Sequence, residues 1–488
     1  MTTINPSIEE RMKVFHSYLE RKNMEHKPYQ YEGVKWILNN ELRIDPPCNI
    51  RGGFIADEMG LGKTIMMIGT MLCNYLPNTL IIVPPILIDQ WYLQIYKTTG
   101  HKALIFHGDD KKTISREKLA SSKIVITTYG AITLTKKQIK NKETTVLHTI
   151  KWSRLIFDEA HHLRNSKTTR YISSKILKSP IRWIVSGTPI QNSKKDFYSL
   201  CSMIRLPASY YSEPDNLKEL ARSFILKRTK KQVGIQMSDV ILDKNIVDWT
   251  NTNEMELSEE IHSALAFSRV PASKGKAMAN GLKNGGVLSL MLHARQSCIL
   301  PKLMSKRVQN LVHKGILSDY SLYKEAFHHS SKLDSVIASI LERKGNGCGK
   351  LIFCHFREEI DEIASRLRVG GITKLATFDG RTRNAKRHDI LTEENEALIL
   401  QIQTGCEGLN LQEHYSEIYF ISPHWNPAIE DQAIARCHRI GQTKQVFVQR
   451  FEMCNFVQED QEIQTKTVDK YVENTQEYKR AINSEIFG

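Results

Sequence analysis

A lysine that follows two closely spaced glycines and precedes a threonine can bind the phosphates of a nucleoside triphosphate. The segment ADEMGLGKT, residues 56–64, ends in this way. Lys63 can reach the β- and γ-phosphates, Thr64 can bind Mg²⁺, and the glycines leave room at the tightest turn. The usual pattern G-x-x-x-x-G-K-[ST] has glycine where this chain has Asp57. The segment therefore predicts a phosphate-binding loop that begins in an unusual way, with a chance match as the alternative.

Two adjacent acids can complete such a site. In LIFDEAHH, residues 155–162, Asp158 and Glu159 follow an apolar run. Asp158 can hold Mg²⁺, usually through water, and Glu159 can orient and deprotonate the water that attacks the γ-phosphate. Two solvated acids at the end of a strand are the alternative. The letters Asp-Glu-Ala-His match a helicase box and favour the catalytic interpretation.

Polar side chains elsewhere could act together with these acids. Ser186 and Thr188 are short hydroxyls in the segment SGTPIQN and could connect the acids to a bound strand, although such residues are also ordinary in turns. Gln432, Arg436 and Arg439 are spaced at i, i+4 and i+7, which places them on one face of a predicted helix. Two cations on that face could reach the γ-phosphate and stabilise the transition state. An exposed basic helix face is the alternative.

These side chains need rigid elements to position them, and the apolar pattern supplies two sets. Short, β-branched, continuously apolar runs suit strands that are buried on both faces of a parallel sheet. The runs are residues 53–56, 79–85, 123–129, 154–160 and 182–189 in the first half, and 350–356, 397–405, 417–423 and 445–451 in the second. The predicted fold class is therefore α/β, with two doubly wound parallel-sheet lobes in tandem.

Composition limits the function classes. The chain has 488 residues, which predicts two or three domains. A net charge of +15, from 68 Lys+Arg against 53 Asp+Glu, favours nucleic acid first and an anionic membrane second, with a solvated basic surface as the alternative. No apolar run approaches the roughly 18 residues that span a bilayer, and the polar amino terminus does not resemble a secretory signal. The nine cysteines contain no C-x-x-C pair, which argues against a zinc site.

Taken in order, the motifs resemble those of the Swi/Snf-type ATPases, a DNA-translocase family within helicase superfamily two. The resemblance runs from about Lys27 to about Phe451, and ADEMGLGKT is the family's own form of the phosphate loop. The further matching segments are KPYQYEGVKW (27–36), IVPPILIDQW (82–91), ITTYGAI (126–132), FILKRTKKQV (224–233), HARQSCILPKL (293–303), SSKLD (330–334), FDGRT (378–382), GCEGLNLQ (405–412), HWNP (424–427) and HRIGQ (438–442).

The resemblance implies two RecA-like lobes that close over Mg-ATP and move along double-stranded DNA without unwinding it. The residues implied in hydrolysis are Lys63, Asp158, Glu159, Arg436 and Arg439. Those implied in binding ATP are Gln30, which matches an adenine-reading glutamine, Asp57, Glu58, Met59, Gly60, Leu61, Gly62, Lys63, Thr64 and Gly408, and those implied in binding Mg²⁺ are Thr64 and Asp158. Those implied in contacting DNA are Pro84, Pro85, Thr127, Thr128, Tyr129, His355, Phe356 and Asn410. Those implied in coupling are His161, Ser186, Thr188 and Gln432.

The predicted domains are an amino-terminal ATP-binding lobe over 1–245, a helical and flexible insertion over 246–330, a carboxyl-terminal lobe over 331–455 and a helical extension over 456–488. The predicted function is ATP-dependent translocation on double-stranded DNA that remodels or displaces protein–DNA or transcription complexes. A strand-separating helicase and a non-enzymatic nucleic-acid scaffold are the alternatives. The predicted partners are double-stranded DNA and transcription or chromatin proteins, and not a membrane. The compact, Lys-, Asn- and Ile-rich chain suggests a viral member, which would work in the nucleus, the cytoplasm, a virus factory or the virion.

Overall fold

The chain forms two compact units, one that ends at Gln236 and one that spans Met237–Arg480. The structure is a computed structural model. It describes residues 7–187, 193–213, 216–270, 276–283, 286–382, 389–390, 393–405, 409–456 and 465–487.

The first unit is built on a parallel sheet with the strand order β3-β4-β2-β5-β6-β1-β7. Its strands are β1 (Arg51–Ile55), β2 (Thr79–Val83), β3 (Leu104–Phe106), β4 (Ile124–Thr128), β5 (Arg154–Asp158), β6 (Ile181–Val185) and β7 (Ile225–Leu226). Its α-helices are Ile8–Arg21, Pro28–Leu42, Lys63–Cys73, Ile88–Thr99, Arg116–Ser121, Tyr129–Ile132, Lys136–Lys140, Val146–Thr149, Thr169–Ile176, Lys194–Met203, Ala208–Tyr211 and Asn216–Phe224. Short 3₁₀ turns are Pro47–Asn49, Pro85–Leu87, Asp110–Lys112 and Ala160–Leu163.

Strand β5 shows why these runs carry apolar residues at consecutive positions. Successive side chains of a strand point to opposite faces of the sheet. Leu155 and Phe157 belong to the hydrophobic core on one face, and Ile156 belongs to the core on the other. Helices cover both faces, so neither face of the strand meets water. The acids that follow β5 are thereby fixed at the carboxyl edge of the sheet.

The second unit repeats the plan with a parallel sheet in the order β10-β11-β9-β12-β13-β8. Its strands are β8 (Ile241–Val247), β9 (Gly349–Cys354), β10 (Leu375–Phe378), β11 (Ala397–Gln401), β12 (Tyr415–Phe420) and β13 (Phe447–Met453). Its α-helices are Thr252–His262, Lys276–Lys283, Gly286–Ile299, Ser305–His313, Ser321–Lys324, Ser331–Glu342, Arg357–Val369, Ile402–Gly405, Pro427–Ile434 and Val468–Phe487, with 3₁₀ turns Pro301–Met304 and Glu325–His328. The predicted fold class, two doubly wound α/β lobes in tandem, is confirmed.

The division between the units differs from the predicted boundaries. Strand β8 pairs along its length with β13, so residues 241–245, which were expected in the first lobe, lie in the second sheet. The helices expected as an insertion share one core with that sheet, since Leu257 and Ile352 belong to the same buried cluster. Val472 of the last helix also belongs to this cluster. The region between the predicted lobes is therefore part of the second core.

Within the described ranges, no helix combines the length and the apolar character that crossing a membrane requires.

Candidate nucleotide site

The segment between β1 and helix Lys63–Cys73 forms a tight loop at the carboxyl edge of the first sheet. Gly60 and Gly62 have φ of 92° and 80°, in the left-handed region that favours glycine. A Cβ atom on Gly62 would lie 2.3 Å from Nε2 of Gln30. The sequence therefore needs glycine here for both the backbone turn and the close approach of Gln30.

Lys63 begins the helix that follows this loop. Its Nζ donates hydrogen bonds to the carbonyl oxygens of Asp57 at 2.8 Å and Glu58 at 3.4 Å. A Cβ atom on Gly187 would lie 3.4 Å from the same Nζ and 3.1 Å from Cγ of Met59. The turn after β6 thus approaches the loop from the side, and the helix amino terminus behind the loop favours an anion. This cradle, kept open by glycines and bordered by an ammonium, fits the phosphates of a nucleotide.

Gln30 lies in the first turn of helix Pro28–Leu42 and is buried. Its Nε2 donates to the carbonyl oxygen of Leu61 at 3.2 Å. The glutamine predicted to read adenine therefore also braces the phosphate loop.

Asp57 occupies the place of the missing glycine, and its carboxylate is fully buried. Arg228 binds it in a bidentate pair, with Nε to Oδ1 at 3.1 Å and Nη2 to Oδ2 at 2.5 Å. Glu58 accepts a hydrogen bond from the backbone N–H of Lys230 at 2.8 Å. The sequence assigned these acids to nucleotide binding, whereas the structure commits their carboxylates to residues that follow β7. Sequence reasoning missed Arg228, although FILKRTKKQV was matched to the family.

Asp158 ends β5 and is buried, with two hydrogen bonds that fix its carboxylate. Trp91 Nε1 donates to Oδ2 at 2.7 Å, and the backbone N–H of Glu159 donates to Oδ1 at 2.9 Å. Burial and the neighbouring Glu159 raise the pKa of Asp158, while Lys63 acts in the opposite direction. Asp158 therefore lies close enough to Glu159 and Lys63 for their charges to act on its carboxyl group. A cation bound at this acid would favour the carboxylate form.

Glu159 has a left-handed backbone conformation, with φ of 47°. Its Oε2 lies 3.3 Å from Nδ1 of His161. For a non-glycine residue this backbone costs about 1–3 kcal/mol, and such conformations cluster at functional sites. It turns the glutamate out of the line of β5 and brings it beside His161, one of the residues implied in coupling.

Of the two hydroxyl residues predicted to link the acids to a bound strand, the structure describes Ser186. The backbone N–H of Ser186 donates to the carbonyl of Ile55 at 3.1 Å, which places it between β6 and the start of the phosphate loop. Thr188 lies outside the described residues.

Several residues predicted to contact DNA are buried. Thr127 Oγ1 donates to the carbonyl of Phe106 at 2.9 Å, and Thr128 Oγ1 accepts from the N–H of Ala131 at 3.2 Å. The Tyr129 hydroxyl donates to the carbonyl of Asp158 at 2.7 Å. These three side chains are committed within the lobe, so in this structure they offer no surface to DNA. The cause is their position at the end of β4, where both faces of the sheet are covered.

The two prolines predicted beside them differ in exposure. Pro84 is buried and Pro85 is exposed. Of this pair, only Pro85 is accessible at the surface, and its contact with DNA stays a prediction.

In the second unit, the predicted helix face is wrong. Helix Pro427–Ile434 includes Gln432 but ends before Arg436 and Arg439. The physical reason is Gln442, whose Nε2 donates to the carbonyls of Gln412, Tyr415 and Cys437 at 3.0, 3.0 and 3.3 Å. These bonds hold the chain in a turn where a helix would otherwise continue.

The turn directs both arginines to the loop before β12. Arg436 Nη1 donates to the carbonyl of Leu409 at 3.4 Å, and Arg439 donates to the side chain of Asn410. Asn410 is exposed. The arginines therefore adjoin a residue predicted to contact DNA, and Gly408 beside it lies outside the described residues. Their predicted approach to the phosphate loop remains a prediction.

His355 and Phe356 follow β9. The His355 ring is partly buried, its Nε2 lies 3.2 Å from the carbonyl oxygen of Ser422, and desolvation, followed by Arg295 and His424, lowers its pKa. Phe356 is half-buried against the second core. Both residues keep part of their side chains exposed, and their contact with DNA stays a prediction.

Two family matches cover both lobes. The SNF2-related domain matches residues 29–215, and the helicase conserved C-terminal domain matches residues 331–441. The first contains the phosphate loop and both acids, and the second contains both arginines. This chain belongs to the SNF2-related ATPases. The predicted family, a superfamily-two helicase-type ATPase, is confirmed.

Several known proteins are similar to most of this chain. The DNA repair protein RAD5B of Arabidopsis thaliana is 25% identical over 87% of this chain and 45% of its own length. The probable global transactivator of Orgyia pseudotsugata multicapsid polyhedrosis virus is 27% identical over 94% of this chain and 91% of its own. A solved Sulfolobus solfataricus SWI2/SNF2 ATPase core in complex with dsDNA is 22% identical, with a TM-score of 0.40, over 95% of this chain and 96% of that one. The chain thus spans less than half the length of the plant relative.

Proposed function

We propose that this protein is an ATP-dependent motor that moves along double-stranded DNA and remodels or displaces protein–DNA complexes. The observation that carries the proposal is the group of side chains at one edge of the first sheet. Strand β6 lies between β1, which leads to the phosphate loop, and β5, which leads to the acids. Ligands of parallel α/β sheets bind at this edge. Lys63 is near enough to Asp158 to act on the pKa of its carboxyl group.

In this proposal the first lobe binds Mg-ATP and prepares the attacking water. Lys63 and the loop amides hold the phosphates, and Thr64 with Asp158 would hold Mg²⁺, which would supply charge neutralisation at the γ-phosphate. Glu159 accepts the proton of the attacking water. Arg436 and Arg439 of the second lobe stabilise the negative charge that develops on the phosphoryl group. Closure of the lobes is then required for turnover.

DNA is the proposed track for reasons of charge and family. The net charge of +15 favours a polyanion, and a motor that tracks a backbone needs contacts to phosphates more than to bases. RAD5B, a relative along most of the chain, is a DNA repair protein. Protein–DNA assemblies in transcription or chromatin are the proposed targets.

The roles of Lys63 and Glu159 are separable. We expect Glu159→Gln to bind ATP with nearly unchanged affinity and to lose turnover by about 10²–10⁴-fold, because the amide cannot accept the proton. Lys63→Ala should instead lose ATP affinity. Titration with a fluorescent ATP analogue and steady-state phosphate release measure the two effects, and full turnover by Glu159→Gln would remove it as the base.

The track is identified by ATPase rates without nucleic acid and with single-stranded DNA, duplex DNA and duplex RNA. Duplex DNA should activate most, and the protein should displace a triplex-forming strand while the duplex stays paired. Strand separation would support a helicase instead. Nucleic-acid binding without turnover in the wild-type protein would support a scaffold.

A further inference from the structure

The guanidinium of Arg228 connects two parts of the nucleotide site. In addition to its bidentate pair with Asp57, its Nη1 donates to the carbonyl oxygen of Tyr29 at 2.6 Å. Tyr29 precedes Gln30, whose amide braces the phosphate loop at Leu61. One side chain thus contacts both the start of the loop and the helix that carries the glutamine.

The backbone around Arg228 continues the sheet into the loop. Strand β7 pairs in parallel with β1. Beyond the strands, the N–H of Ala56 donates to the carbonyl of Leu226 at 2.7 Å, and the N–H of Glu58 donates to the carbonyl of Arg228 at 2.9 Å. The first residues of the phosphate loop are therefore held like a strand against the segment that ends the first unit.

Asp57 contacts both Arg228 and Lys63. Its carboxylate is bound by Arg228, while its carbonyl oxygen accepts the hydrogen bond from Lys63 Nζ. The N–H of Glu58, which lies in the same peptide plane as that carbonyl, donates to the carbonyl of Arg228. The peptide whose carbonyl holds the lysine is therefore held by the backbone of Arg228, and the Asp57 side chain on the same residue is held by the Arg228 guanidinium.

Close packing leaves little freedom for the guanidinium. A Cβ atom on Gly33 would lie 3.0 Å from Arg228 Nη2 and 2.3 Å from Sδ of Met66. The helix with Gln30 and the helix that begins at Lys63 therefore both meet at this arginine. A planar fork with several donors suits such a position, and a lysine ammonium does not.

We propose that Arg228 and Asp57 are positioning residues that replace the missing glycine of the phosphate loop and set its affinity for ATP. A buried ion pair is a weak source of stability, because desolvating both charges offsets much of their attraction. Its directional hydrogen bonds are what an apolar pair could not supply. The inference rests on the proposed function only in taking ATP as the ligand of the loop.

The test uses the full chain with the variants Arg228→Lys, Arg228→Gln, Asp57→Asn and the double variant Asp57→Asn/Arg228→Gln. Lys231→Ala is the matched control, because Lys231 is an exposed cation of the same segment. The first measurement is hydrogen exchange of the amides of residues 57–63 in nucleotide-free protein. The second is the affinity for a fluorescent ATP analogue, and the third is thermal unfolding.

Arg228→Lys is the deciding variant, because it keeps the positive charge and loses the bidentate geometry of the guanidinium. We expect its loop amides to exchange faster and its ATP affinity to fall by about tenfold or more, which corresponds to about 1.4 kcal/mol, with little change in the unfolding temperature. Arg228→Gln leaves Asp57 charged and buried, so it should also unfold at a lower temperature. The double variant Asp57→Asn/Arg228→Gln should unfold at a higher temperature than Arg228→Gln alone, but its affinity for ATP should stay low. Lys231→Ala should match the wild type in all three measurements.

The proposal is overturned if Arg228→Lys binds nucleotide within about twofold of the wild type or if its amide exchange rises uniformly across the first unit. The first result would mean that the charge alone matters, and the second would mean a general structural role. If the wild-type protein bound no ATP, the proposed function would fail, while exchange in the nucleotide-free protein would still test the positioning of the loop.

Discussion

At the scale of residues, the Asp158 carboxylate is held in place by a hydrogen bond from the indole of Trp91. Trp91 comes from helix Ile88–Thr99, is almost fully buried, and donates its N–H to the acid proposed to hold Mg²⁺. The hydroxyl of Tyr129 donates to the carbonyl of the same residue. Both aromatic residues belong to segments matched to the DNA-contacting motifs of the family. Asp158 is therefore held on its side chain by one matched segment and on its backbone by another.

Replacing the indole with phenyl separates this hydrogen bond from packing. We expect Trp91→Phe to fold and to need about tenfold more Mg²⁺ for half-maximal ATPase activity, because a hydrogen bond to a charged group contributes about 1.5–3 kcal/mol. A magnesium titration of the ATPase rate measures this. Trp36→Phe, in the same lobe, is the control and should keep the wild-type magnesium dependence. An unchanged dependence in Trp91→Phe would contradict the role given to the indole.

The sequence identified the residues that perform chemistry better than those that hold them. Lys63 and Glu159 follow from short strings, because loop and acids are each continuous in the chain. Arg228 lies 171 residues from Asp57, and only the pairing of β7 with β1 brings them together. A bidentate contact between segments so far apart leaves no spacing pattern. Trp91 was quoted within a matched motif, yet nothing in the string indicates its partner.

At the scale of elements, the fully buried strands were predicted and the edge strands were not. Strands β2, β5 and β9 each contain at least three consecutive apolar residues, because both of their faces are covered. Strand β7 has two residues, and β8 exposes most of its side chains at the sheet edge, so neither shows a continuous apolar run. The helix predicted to continue through Arg439 was wrong. The chain turns there instead, and the Gln442 side chain holds the turn by donating hydrogen bonds to backbone carbonyls.

That turn can be weakened directly. Gln442→Ala removes three hydrogen bonds to carbonyls and should lower the free energy of unfolding by about 1–3 kcal/mol. In the proposed mechanism it should also lower kcat more than it changes ATP affinity, because the arginines act on the transition state. Urea unfolding and steady-state kinetics measure the two effects. Lys444→Ala, which removes an exposed cation nearby, is the control, and an unchanged kcat in Gln442→Ala would contradict the turn's role.

The last helix contributes a buried charge to the second unit. Asp469 pairs with Lys332, and both side chains are fully buried. Burial alone would raise the pKa of Asp469, but Lys332 and hydrogen bonds from Met453 and Ser422 lower it below its ordinary value. The carboxylate is thus stabilised in the folded state.

The lowered pKa of Asp469 determines how the stability of the fold changes with pH. Because the folded pKa is depressed, this group's stabilisation is complete above the unfolded pKa of about 3.9 and is lost as pH falls through the folded value. We expect the unfolding free energy of the full chain to fall below about pH 4, and Lys332→Met/Asp469→Leu to lose part of that slope. Asp469→Asn alone should cost about 3–5 kcal/mol, because it leaves Lys332 buried without a countercharge. Chemical unfolding at several pH values measures both, and equal slopes in wild type and double variant would contradict the assignment.

At the scale of the whole molecule, the excess of positive charge should govern binding. If the track is DNA, the DNA concentration for half-maximal ATPase activity should rise steeply with salt, because each phosphate contact releases counterions. A plot of log affinity against log salt gives the number of contacts. The same titration at fixed ionic strength with added neutral osmolyte is the control. A flat response would mean that the charge of +15 serves another purpose.

The boundary at Gln236 has a practical consequence for anyone who divides this protein. A fragment cut at residue 215, where the SNF2-related match stops, would include the lysine, both acids and Gln30. It would lack the two-residue strand β7 and the guanidinium that follows it, so the Asp57 carboxylate would lose its countercharge. Such a truncated ATP-binding lobe would contain its phosphate-loop and acid motifs and still lack the residues that brace the phosphate loop.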